Sequence, residues 1–233
     1  MTGPAHLRCF RQLKPKRGLR SLALALSACL LSGAPSLAAP SKAAVEQQFQ
    51  SWLANDLWPE AKSTGISRSA FDKAIAGLKL NWDLPDLVPP GTAPPKEQKQ
   101  SQAEFSSPGA YFSEKRLQGL AGTGRSLAER HASTLRKAEA AYGVPGSIIV
   151  AIWGRESGFG GAKLPYSAVE VLATKAFMST RKDLFRRELI SALHVIEGGD
   201  IAAGQMKGSW AGALGQPQFM PTRYLTYAVD FDG

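Results

Sequence analysis

One stretch, 144–161, constrains this chain more than any other: VPGSIIVAIWGRESGFGG. Pro145 sits where a helix begins, and Gly158 sits just past where it should end. Between them Ile148, Ile149, Val150, Ala151, Ile152 and Trp153 leave no polar face, the pattern of a helix buried on all sides. Arg155 and Glu156 end the apolar run, so a carboxylate emerges from the expected core at a helix C-terminus. Burial and the negative end of the helix dipole both favour the protonated form that a general acid needs. The plainer alternative is that Glu156 pairs with Arg155 or caps a turn.

The formal charge of +9 dissolves once it is located. Residues 1–39 carry Arg8, Arg11, Lys14, Lys16, Arg17 and Arg20 and no acid, so the remainder holds 22 basic against 19 acidic residues. A nucleic-acid partner therefore loses its main support. The basic region, the apolar run from Leu22 to Leu31 and the small residues Ser36-Leu37-Ala38 read as a secretory signal over 1–38. The run is too short to span a bilayer. Cleavage after Ala38 predicts a soluble, exported, periplasmic protein without cysteine. The alternative is Leu26-Ser27-Ala28-Cys29, which resembles a lipobox and would leave Cys29 acylated in the outer membrane. The apolar Leu30 and Leu31 beyond it favour the soluble form.

Residues 39–82 predict a small N-terminal helical region. Val45, Phe49, Trp52, Leu53 and Leu57 keep helical spacing until Pro59 interrupts it, and Ser67 caps a second helix bearing Phe71, Ile75 and Leu78. Residues 83–110, with five prolines between 85 and 95, read as an extended connecting segment that lies on the surface or wraps the main domain. The main domain, 111–233, opens with a helix over 113–142, where Leu127, His131, Leu135, Ala138 and Tyr142 share a face that makes His131 a packed core residue rather than a ligand. Helices over 144–156, 168–178 and 183–197 follow, the last stopped by Gly198-Gly199. No alternating strand pattern appears. The fold class is mainly α.

The last segment, GSWAGALGQPQFMPTRYLTYAVDFDG, mixes glycines (Gly208, Gly212, Gly215), rings (Trp210, Phe219, Tyr224, Tyr227) and polar groups (Ser209, Gln216, Gln218). Rings that stack on C–H faces, beside groups that bond hydroxyls, suit a sugar chain. The plainer alternative puts the rings in the core. Asp230-Phe231-Asp232-Gly233 begins an aspartate loop, but two carboxylates are too few for a calcium site. Stopping in mid-motif, the chain reads as a C-terminally truncated fragment.

The combination of GVPGSIIVAIWGRESGFG with SWAGALGQPQFMPTRYLTYAVDFDG resembles the lytic murein transglycosylases of the membrane-bound B type. The resemblance also takes in Gly65-Ile66-Ser67, Gln102-Ala103-Glu104-Phe105, LATKAF and RRELISAL, and covers about residues 45–233. It implies a lysozyme-like α-helical domain that cleaves the β-1,4 bond between N-acetylmuramic acid and N-acetylglucosamine in peptidoglycan glycan strands. Glu156 matches the family's acid/base. Ser209 and Gln218 match polar groups on the glycan, and Tyr111 matches an aromatic beside it. Asp230 and Asp232 match the start of an EF-hand-like loop, so a complete loop would hold a structural calcium; the reaction requires no cofactor. Ala103 stands where the family has proline. The competing readings are a lysozyme-type hydrolase and a peptidoglycan-binding envelope protein without catalysis. No second acid lies beside ESGFG to favour the hydrolase.

Overall fold

The structure is a computed structural model, and it describes residues 39–94 and 113–231. The signal segment 1–38, Cys29, Tyr111 and Asp232 lie outside the described residues.

Helix α1 (Lys42–Trp52) starts at Ser41, whose Oγ accepts from the Ala44 amide at 3.2 Å. It buries Val45 and Phe49, and the chain then buries Leu53, Leu57 and Ala61 along the same side. Pro59 does not end the rod, contrary to the sequence expectation. The segment Leu53–Leu57 is a π-helical turn, in which the Trp58 amide donates to the Leu53 carbonyl, and α2 (Trp58–Ser63) follows with Pro59 in its first turn. A first-turn residue needs no amide donor, so the proline is accommodated there. Ser67 caps α3 (Arg68–Ile75) as expected, accepting from Ala70 N at 3.2 Å, and Phe71 is fully buried. Both the amide and the hydroxyl of Ser67 donate to one oxygen of Glu197, at 2.9 and 2.7 Å.

The core is built on α7 (Ala168–Met178), which packs along α8 (Lys182–Gly198). Ser167 caps α7, and Gly199 closes α8 in the left-handed conformation at φ 82°. Val169, Val171, Leu172, Ala173, Thr174, Lys175, Ala176 and Met178 are all buried, so α7 is enclosed on every side. Its core is continuous with Val45, Phe49, Leu53 and Phe71 from the N-terminal helices. Beyond α3, residues 83–88 run across the end of α7. There Val88 N donates to the Met178 carbonyl, and Thr180 N donates to that of Asp86 at 3.3 Å. These bonds tie residues 86–88 to the C-terminal end of α7. A two-residue antiparallel ladder joins β1 (Tyr166–Ser167) to β2 (Lys207–Gly208), and α9 (Pro221–Tyr227) follows. The mainly α class holds.

Two expectations fail in the remaining layer, formed by α4 (Glu114–Arg130), α5 (Ala132–Tyr142) and α6 (Gly146–Ser157). The helix expected over 113–142 breaks at His131, whose φ of −102° and ψ of 18° leave the α-helical region. Both halves pack on α6 as a result. His131 is exposed rather than in the core, with its ring edge-on to Trp153 at 6.0 Å between centroids. Helix α6 is not enclosed either. It buries Val150, Gly154 and Ser157 alone, while Ile148 and Ile152 are 50% and 52% exposed. The physical reason is that α4 and α5 cover one side of α6 only. Among the described residues no helix is long and apolar enough to cross a membrane.

Candidate active site

Glu156 lies in the last turn of α6, which Gly158 closes at φ 55° with its amide bonded to the Gly154 carbonyl at 3.0 Å. Ser157 fixes this turn from below. Its buried hydroxyl donates to the Trp153 carbonyl at 3.1 Å and accepts from Gly160 N at 3.0 Å. The Glu156 side chain is exposed, so the burial that was expected to favour its neutral form is absent. The helix end delivers the carboxylate to solvent instead.

Ile152 and Trp153, one turn earlier, and Ile149, two turns earlier, share the face of α6 that also carries Glu156. With Gln216 and Pro217 they line an open apolar groove of about 520 Å³. Gln216 closes that groove by accepting the Trp153 indole N–H through its side-chain carbonyl. Gly160 backs the contact: a Cβ there would meet the Gln216 carboxamide at 2.7–2.9 Å. The Phe159 ring lies over Gly154, where a Cβ would meet it at 2.5 Å, and edge-on to Trp153 at 5.4 Å. These glycines are spacing requirements of the site, because the ring and the amide occupy the room of a side chain.

Ser209 and Gln218 lie on either side of Gln216 in the segment between β2 and α9. Ser209 organises a tight turn: its Oγ accepts from Ala211 N at 3.3 Å and Ala213 N at 3.2 Å, and its carbonyl accepts from Gly212 N at 2.9 Å. Neither accepted bond uses the hydroxyl proton, so Ser209 keeps a donor to offer. Leu214 and Phe219 exchange backbone bonds of 2.7 and 3.1 Å, which turns 215–218 outward. Gln218 sits there at φ 55°, and its amide nitrogen donates to the Gly215 carbonyl at 2.8 Å. The rings of this segment do not form one surface. Tyr224 packs on the core, Tyr227 lies by Arg223, Phe219 is exposed, and Trp210 leans on Lys175. Asp230 is exposed beyond α9, and among the described residues no group of three or more His, Cys, Asp or Glu side chains could hold a metal.

Sequence reasoning missed two groups that hold this loop. Lys175 is fully buried on α7; its Nζ donates to the Pro85 carbonyl at 3.0 Å and stands 4.9 Å from the Trp210 ring centre and 5.1 Å from that of Phe185. Burial pushes its pKa down to about 8, against Asp86, which raises it, and with Arg181, which lowers it further. The signal was present as one cation inside the apolar run VLATKAF. Glu188, buried on α8, accepts from Thr222 N at 2.9 Å and Thr222 Oγ1 at 2.8 Å, and so anchors the start of α9.

Comparison with known proteins gives the family. The chain is 38% identical over 105 residues to membrane-bound lytic murein transglycosylase B of Escherichia coli (strain K12), across 45% of this chain and 29% of that one. The crystal structure of SltB3 from Pseudomonas aeruginosa, in complex with NAG-NAM-pentapeptide, superimposes with a TM-score of 0.66 at 33% identity, over 79% of this chain and 46% of that one. The Escherichia coli lytic transglycosylase Slt35 in complex with bulgecin A gives a TM-score of 0.55 at 25% identity, over 80% and 55%. The chain thus spans about half or less of the length of these relatives. The match to the Transglycosylase SLT domain family runs over residues 48–233, from α1 through the Gln216 loop. The chain is therefore a member of the Transglycosylase SLT domain family.

Proposed function

We propose that this chain is a lytic murein transglycosylase domain, with Glu156 as the single acid and then base. The observation that carries the reading is the placement of Glu156: an exposed carboxylate on a helix end, one turn beyond Ile152 and Trp153, which with Gln216 and Pro217 line an open groove. Its proton passes to the glycosidic oxygen as the C1–O4 bond between N-acetylmuramic acid and N-acetylglucosamine breaks. The neighbouring N-acetyl group stabilises the positive charge left at C1. The C6 hydroxyl of the same sugar then attacks C1, and its proton returns to Glu156, leaving a 1,6-anhydro ring and an unchanged enzyme. Intramolecular attack replaces an activated water, so no second carboxylate is needed. Acid, base and nucleophile all come from Glu156 and the substrate, and no cofactor enters.

Ser209 and Gln218 are assigned to hold the glycan, and Tyr111 to flank it. The substrate places the chain in the periplasm after removal of 1–38, with acylation at Cys29 as the membrane-anchored alternative. The test is mass spectrometry of murein sacculi digested with the chain. Anhydro-muramic acid ends, lighter by one water than reducing ends, are expected; reducing ends would make it a hydrolase. Glu156→Gln should lower turnover roughly 10²- to 10⁴-fold without loss of fold. Unchanged turnover in that variant would overturn the assignment.

A further inference from the structure

The loop after β2 is fastened to α7 at two points, three residues apart on one helix. The first is steric. Gly212, at φ 85°, lies so close to Leu172 that a Cβ would meet the Leu172 side chain at 2.4 Å. The second is the buried ammonium of Lys175 under the Trp210 ring, described above. Lysine is almost never fully buried without partners, and here the partners come from three different segments: the Pro85 carbonyl, Phe185 of α8 and Trp210. We propose that Lys175 is a positioning residue for the candidate glycan loop. Its ammonium grips residue 85 and the ring of Trp210 at once, and thereby sets the place of the adjoining Ser209. The inference rests on reading that loop as glycan-binding.

The transmission is short. Trp210 follows Ser209 directly, and the Ser209 hydroxyl accepts the amides of Ala211 and Ala213, so the turn moves as one piece. A methionine could fill the volume of Lys175, but it would bring neither a donor for the Pro85 carbonyl nor a positive charge for the two rings. The charged groups facing the ammonium are Asp86 from the connecting segment and Arg181 from the entry to α8. Arg181 lies on the Phe185 ring at 5.3 Å, so that ring is shared between two cations. When the ammonium loses its proton the attraction for both rings is lost with it, and the hold on Trp210 weakens.

The test reads the Trp210 indole N–H by NMR in the whole chain, from about pH 6.5 to about pH 9.5, with Trp210→Phe to assign the signal. The signal should move with a midpoint near 8 in the wild type, stay fixed in Lys175→Arg, and stay fixed at a different position in Lys175→Met. On glycan strands at neutral pH, Lys175→Met should raise KM roughly five- to tenfold with kcat little changed, and Lys175→Arg should restore most of it. A wild-type indole signal that does not titrate, or one that titrates equally in Lys175→Met, overturns the proposal. So does a Lys175→Met protein with wild-type KM. The indole measurement needs no turnover, so an inactive wild type would count against the proposed function and leave the role of Lys175 to be decided by the titration.

Discussion

The indole N–H of Trp153 donates to the side-chain carbonyl of Gln216, joining the helix of Glu156 to the loop of Ser209 and Gln218. Within the described residues this bond links the candidate acid to the candidate glycan contacts across 63 positions of sequence. The width of the groove therefore depends on one amide.

Replacing that amide should be felt in binding before it is felt in folding. Gln216→Met removes the acceptor at similar volume and should lower Tm by roughly 2–4 °C, the equivalent of about 1 kcal/mol, while raising KM. Gly160→Ala should cost more, because its Cβ would meet the same carboxamide and φ there is 82°. In Gly160→Ala/Gln216→Ala the clash is gone, so thermal melts of the four proteins should show a double variant better than additive.

Gly212 should tolerate no side chain. With Leu172 fully buried and its methyl 2.4 Å from the would-be Cβ, Gly212→Ala should destabilise by roughly 2–4 kcal/mol in urea unfolding. Adding Leu172→Ala should recover part of the loss by opening that space. A Gly212→Ala protein with the wild-type midpoint would contradict the close approach.

Stability should rise with pH on the alkaline side. The Lys175 pKa is lowered from 10.5 to about 8 on folding, so between those values the unfolded chain binds more protons than the folded one. Unfolding free energy therefore increases with pH across that window. The cost of the buried charge is complete below about 8 and relieved above 10.5, a difference of roughly 3 kcal/mol. Urea midpoints in this window should climb in the wild type and lose that climb in Lys175→Met.

The acid side carries a slope of the same sign, from a different group. The Ser67 hydroxyl, and then its amide, hold the Glu197 carboxyl below its ordinary value of 4.5, with His194 adding to the effect and desolvation opposing it. That contribution is present above 4.5 and is lost as pH falls through the lowered value. Ser67→Ala should cost about 1 kcal/mol at neutral pH through the lost cap and should flatten the acid slope of a melt series.

Local chemistry was the legible part of this chain. Ser67, Gly143, Gly158 and Gly199 end or begin their helices as their residue types dictate, and 168–178 has the bounds its apolar run implies. The environment of each helix was not legible. Helices α6 and α7 are both apolar nearly all round, yet α7 is enclosed and α6 is half bare, because enclosure depends on what packs from elsewhere in the sequence. Glu156 could be picked out by position and resemblance, whereas its exposure could not. In the sequence Gln216 is one amide among several, since its partner Trp153 lies in another segment. Lys175 carries no local signal of its role, because its partners Pro85, Phe185 and Trp210 come from three other segments.

The π turn at Leu53–Leu57 holds one residue more than a regular α-helical turn would. Val45, Phe49, Leu53, Leu57 and Ala61 are buried at intervals of four, and in a regular α-helix each such interval advances the stripe by about 40° around the axis. The wider turn winds part of that advance back, so residues on both sides of it meet the same core. Removing one of the exposed residues Ala54, Asn55 or Asp56 would bring the mean spacing close to the α-helical period and straighten the ladder. It would also carry Pro59 into the interior of an unbroken helix, where its ring has no room. The extra residue and the proline are thus mutually dependent, and a chain that loses the first is expected to replace the second.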